Sequence, residues 1–128
     1  MPMTDETKKL LELGNDHFEG AKILFNKGYP TDVVGLLLHL SLEAYLKGLL
    51  VHLEIDPKEG EDLKTLFNSI IQKDKEFKKF TKLCERVNGY YTFGKVPSDP
   101  LSEEAQHEMK TSLDESEKLI AMINEKVS

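Results

Sequence analysis

From Leu36 to Leu50 apolar residues fill almost every position, broken only by His39, Ser41, Glu43, Lys47 and Gly48. A helix that is apolar nearly all round belongs at the centre of its domain. At about 3.6 residues per turn, Leu38, Leu42, Tyr45, Leu49 and Leu53 share one face. Ser41, Ala44, Gly48 and His52 form a second strip, small enough for another helix to approach closely. A third strip carries His39, Glu43 and Lys47 at i, i+4 and i+8, flanked by Leu36, Leu40 and Leu50. Polar groups set among leucines require partners. The plain reading is an internal series. Glu43 precedes Lys47 in the favourable order, worth roughly 0.2–0.5 kcal/mol on an exposed helix, and His39 donates to Glu43. The sharper reading places the strip in a cleft or subunit interface that binds a ligand or partner.

The same periodicity predicts helices on either side. Leu10, Gly14, His17, Phe18, Ala21, Leu24 and Phe25 recur at helical spacing after a cap at Thr4 or Asp5, and Gly28 ends that helix. Tyr29-Pro30 makes a short extended turn, after which Thr31 or Asp32 is expected to cap the central helix. Two long helices joined so tightly are antiparallel neighbours. A third helix is expected from Glu61-Asp62, with Leu63, Leu66, Phe67, Ile70 and Ile71 inward and a break at Lys73–Lys75. A fourth carries Phe77, Phe80, Thr81, Cys84, Val87 and Tyr91. The stretch from Thr92 to Pro100 holds two prolines and a glycine and reads as irregular. Ser102 caps a last helix along Ala105, Met109, Ser112, Leu113, Ser116, Ile120, Ile123 and Val127. No segment alternates as a strand does. The expected architecture is an all-α, antiparallel up-and-down bundle of four to five helices, one domain over residues 1–128.

Composition narrows the function. A net charge of −6 and a single arginine, Arg86, argue against general binding to phosphate backbones. One cysteine, Cys84, permits no internal disulfide and, on the apolar stripe of its helix, reads as a small core residue. The chain start lacks the basic and apolar regions of a signal peptide, and the apolar run is too broken for a membrane span. The setting expected is cytoplasmic, with no membrane. Four scattered histidines, one Glu-x-x-His (Glu104 to His107) and no cysteine pair point to no metal site, and no cofactor motif is present. Lys73, Lys75, Lys78, Lys79 and Lys82 cluster, which ordinarily means a solvated surface.

Several pieces together resemble the HEPN domain, a helical nucleotide-binding or RNA-processing module of prokaryotic defence and toxin–antitoxin systems. The run from His39 to Leu50 is similar to the family's His-x-x-x-Glu-x-x-Leu-Lys-x-Leu-Leu pattern. Gly28-Tyr29 resembles the break after the first helix, and Glu61-Asp62-Leu63 falls where His-Asp-Leu is frequent. Tyr90-Tyr91 followed by Lys95-Val96-Pro97 stands where many members carry Tyr and then Arg-Tyr-Pro. Ser102-Glu103-Glu104-Ala105 resembles the start of the final helix. Ribonuclease members carry an Arg-x4–6-His signature. Here Arg86 is followed by no histidine at that spacing, and His107 stands 21 positions on. The scaffold pattern is kept and the phosphate chemistry is reduced.

The resemblance implies a homodimer and a non-catalytic binding and interaction module, paired with a minimal nucleotidyltransferase in a two-component or toxin–antitoxin-like unit. His39, Glu43 and Lys47 would line its cleft, with Lys95 reaching the anionic group of a nucleotide. The alternative is a metal-independent ribonuclease with a divergent site, in which Arg86 or Lys95 holds phosphate and His39 or His107 moves protons. A helical surface that binds another protein, with no small ligand, is the plainest option.

Overall fold

In the computed structural model, which describes residues 2–60, 62–90 and 99–128, the chain forms α1 (Asp5–Asn26), α2 (Thr31–His52), α3 (Leu63–Lys73), a 3-10 turn (Lys75–Phe80), α4 (Thr81–Tyr90) and α5 (Glu103–Val127). There is no strand among the described residues. This is the all-α bundle that the apolar spacing predicts.

Local chemistry sets most of the boundaries. Thr4 caps α1, its hydroxyl accepting from the Thr7 N–H at 3.2 Å. Gly28 leaves the helix at φ 79°, a conformation that suits glycine. Asp62 caps α3 through the Thr65 N–H at 2.8 Å, and Ser102 caps α5 through the Ala105 N–H at 3.1 Å. Glu61 lies outside the described residues, as does most of the stretch expected to be irregular between α4 and α5.

Two expectations need correction. Neither Thr31 nor Asp32 caps α2: Thr31 is already its first residue, Pro30 occupies the cap position, and no side chain closes it. Thr31 is used elsewhere, donating both its N–H and its hydroxyl to the Pro100 carbonyl at 3.1 Å. The fourth helix also starts later than its apolar spacing suggests. Asp74 accepts from the Glu76 N–H at 3.0 Å and starts a 3-10 turn instead. Three residues per turn put Phe77 and Phe80 on one side, and both are buried.

The central position of α2 is confirmed. It packs on α1, α3, α4 and α5, and Leu38, Leu42, Tyr45, Leu46, Leu49 and Leu50 are all but fully buried. It is the one described helix long and apolar enough to cross a membrane, but 67% of its apolar window is buried inside the bundle. The small strip on α2 meets α1, whose antiparallel course brings Gly20 to Leu37, Gly14 to Ser41 and Tyr45, and Leu11 to Gly48. Cys84 is buried in the core, and burial pushes its thiol up to about 12.

Candidate functional site

The third strip of α2 is split by the fold. Glu43 stands in the middle. Its Oε1 accepts from Lys47 Nζ at 3.0 Å, and its Oε2 lies 3.9 Å from His39 Nδ1. His39 is 6% exposed, so it faces inward. The Asp62 carboxylate, at the start of α3, acts electrostatically on the same imidazole. Burial lowers the His39 pKa, and the pull of Glu43 and Asp62 in the other direction does not restore it. The shift favours the neutral imidazole, which cannot hold an anion by charge.

Glu43 and Lys47 face outward, on the other side of the strip. With Leu40 and Ala44 of α2 and Leu10, Leu13 and His17 of α1, they line a depression of about 130 Å³. That space suits a single side chain or a small planar group. The rim is apolar: Leu13 is 47% exposed and Leu36, one turn along α2 from Leu40, is 42% exposed. Val33 continues the same outer stripe. His17 is the residue that sequence reasoning assigned only to helix periodicity. Its Nδ1 is buried without a hydrogen-bond partner among the described residues. The signal that could have found it is the tight turn between α1 and α2, which sets position 17 opposite position 40.

Lys95, expected at the mouth of this cleft, lies outside the described residues. Arg86 is elsewhere, on α4 against α5. Its Nη1 donates to Ser112 Oγ at 3.1 Å and stands 3.6 Å from Glu115. The Tyr90 hydroxyl meets the same Ser112 oxygen at 2.8 Å and Glu108 at 3.3 Å. Burial pushes Tyr90 up to about 12, with the Ser112 bond opposing the shift. His107 is exposed on α5, and no hydrogen bond or ion pair joins it to Arg86. Arg86 is thus held in a network of hydroxyls and carboxylates between two helices, remote in role from His39 and His107. Among the described residues, no three His, Cys, Asp or Glu side chains converge as a metal site.

What this arrangement supports chemically is recognition. A fixed carboxylate–ammonium pair beside a small apolar hollow can read a group that both accepts and donates hydrogen bonds. No curated protein matches the chain, and no solved structure does. The HEPN domain family model matches residues 7–126, from the first turn of α1 to the end of α5. Spanning all five helices and the strip on α2, that match identifies the chain as a member of the HEPN domain family.

Proposed function

We propose that this HEPN domain is a non-catalytic binding and interaction module that self-associates as a homodimer and works beside a separately encoded minimal nucleotidyltransferase, in a cytoplasmic two-component or toxin–antitoxin-like unit. The observation that carries the interaction reading is the outer face of α1 and α2. It exposes Leu13 at a depression whose Glu43 and Lys47 already pair with each other, and Leu36 and Val33 further along α2. Apolar surface of this kind is what an interface buries. The Glu43–Lys47 pair is also self-complementary: across a twofold axis, the carboxylate of one copy can face the ammonium of the other. A nucleotide or other anionic ligand would meet Lys47, and Lys95 if the resemblance carries over to that position.

The ribonuclease alternative draws less support. Its arginine is already bonded to Ser112 and paired with Glu115, and His39 is buried away from solvent.

The experiment is light-scattering mass in solution, followed by co-purification with a co-expressed minimal nucleotidyltransferase. The wild type is expected at twice the chain mass and in complex. Leu36→Glu is expected to give a monomer, and Lys47→Ala with Glu43→Gln to weaken complex formation or nucleotide binding. A monomeric wild type, or variants indistinguishable from it in both assays, sinks this assignment. Cleavage of RNA by the pure wild type, lost in Arg86→Ala, would favour the enzyme instead.

A further inference from the structure

A larger concavity shares no residue with that face. It is an open groove of about 590 Å³ between the 3-10 turn and α5, with Phe80, Ala121 and Met122 as its floor. Its charges are partly spent. Lys126 lies 3.0 Å from Asp74 and 3.7 Å from Glu76, and Glu115 lies 3.6 Å from Arg86. That leaves Lys79 and Lys118 on the walls with no ion pair among the described residues, against the single unpaired carboxylate of Glu125. The Lys79 ammonium is held 5.6 Å from the Phe80 ring centroid, over the apolar floor. Lys75, Lys78 and Lys82, close by in sequence, are exposed as well. In a chain of net charge −6, this surplus of unpaired lysines is local.

We propose that this groove docks a short acidic, amphipathic segment of a protein partner. Bulky apolar side chains of the segment rest on Ala121 and Met122, and its carboxylates meet Lys79 and Lys118. The floor and the walls favour a peptide over a nucleic acid. Phe80 is only 8% exposed and is covered by Lys79, so it offers no face on which a base can stack. Glu125, the unpaired carboxylate of the wall, can accept a hydrogen bond from a peptide N–H, a donor that a phosphate chain lacks. Charge at the rim with apolar anchoring at the centre is the common way in which an amphipathic helix enters a groove.

The test uses the full chain and a fluorescein-labelled peptide about three helical turns long. The peptide carries Leu and Phe at i, i+3, i+4 and i+7 and Glu elsewhere. Its comparators are the same peptide with Lys for Glu, and an oligouridylate of similar length. Ala121 and Lys118 are exposed, so Ala121→Glu and Lys118→Glu keep the core, which thermal unfolding checks. The expected result is saturable binding of the acidic peptide alone, weakened about tenfold or more by each variant and unchanged by Leu36→Glu. No saturable binding, equal binding of the lysine peptide, or binding that either variant leaves intact overturns the proposal. Tighter binding of the oligouridylate overturns it in favour of a nucleic-acid surface. Because Leu36 lies on the other face, failure here leaves the dimer reading standing, and the reverse holds as well.

Discussion

Ser41 Oγ donates to the Gly14 carbonyl at 2.7 Å, joining α2 to the backbone of α1. A Cβ built on Gly14 would stand 2.6 Å from Tyr45 Cδ2 and 3.1 Å from the Ser41 carbonyl oxygen. Glycine here is a packing requirement, because the backbone of α1 rests directly on the ring of Tyr45. Gly14→Ala is therefore expected to destabilise the fold by about 1–3 kcal/mol. Helix propensity alone predicts a gain of about 1 kcal/mol. Chemical denaturation of the two proteins decides between packing and propensity, and a more stable variant would mean that α1 shifts freely.

Ser112 and Ser116 lie one turn apart on α5, both fully buried, and differ in what they meet. Ser112 holds Arg86 and Tyr90, whereas the Ser116 hydroxyl has no hydrogen-bond partner among the described residues. Ser112→Ala is expected to cost about 1–3 kcal/mol, since it strands the two groups it serves. Ser116→Ala is expected to be neutral or to stabilise by up to about 1 kcal/mol. Equal losses in thermal unfolding would contradict the account.

Acid sensitivity should trace to His39. Its folded pKa lies below the ordinary value of 6.5, first because of burial. Between those two values the unfolded chain binds more protons than the folded one, so stability rises with pH in that window. The contribution is complete above about pH 6.5. It is lost as pH falls towards the folded pKa. His39→Gln is expected to flatten this part of the stability–pH curve without moving its neutral plateau far. A slope unchanged in the variant would place the sensitivity on another group.

The end of α2 carries a correctable strain. Glu54 follows the helix at φ 62°, while its N–H reaches the Val51 carbonyl at 3.0 Å and the Ile55 N–H reaches Leu50 at 2.9 Å. Left-handed backbone at this position is the usual place for glycine. Glu54→Gly is expected to raise stability by about 0.5–1 kcal/mol, relief of the left-handed conformation outweighing the added freedom of the unfolded chain. A lower midpoint in thermal unfolding would show that the entropy dominates instead.

Much of this protein follows from spacing. The leucines of α2 mark a central helix because a helix apolar on most sides has to be surrounded. Thr4, Asp62 and Ser102 mark helix starts because their side chains close free backbone N–H groups in the next turn. The small residues Ser41, Ala44 and Gly48 announce a close neighbour, and that neighbour is α1. These are local rules, and a chain of this composition obeys them wherever its helices go. Tertiary structure decided the rest. Helical register puts His39, Glu43 and Lys47 on one strip, but only the placement of α3 and α1 turns His39 inward towards Asp62 and leaves Glu43 and Lys47 outward beside His17. Arg86 is the lone arginine in the sequence, and its engagement by Ser112 and Glu115, 26 and 29 positions away, depends on how α4 lies on α5. Thr31 could cap a helix by its side-chain chemistry, but in the fold its hydroxyl and N–H both donate to the Pro100 carbonyl, 69 positions on. In each case a polar side chain had several partners within reach of its own helix, and long-range packing, which sequence periodicity does not encode, chose among them.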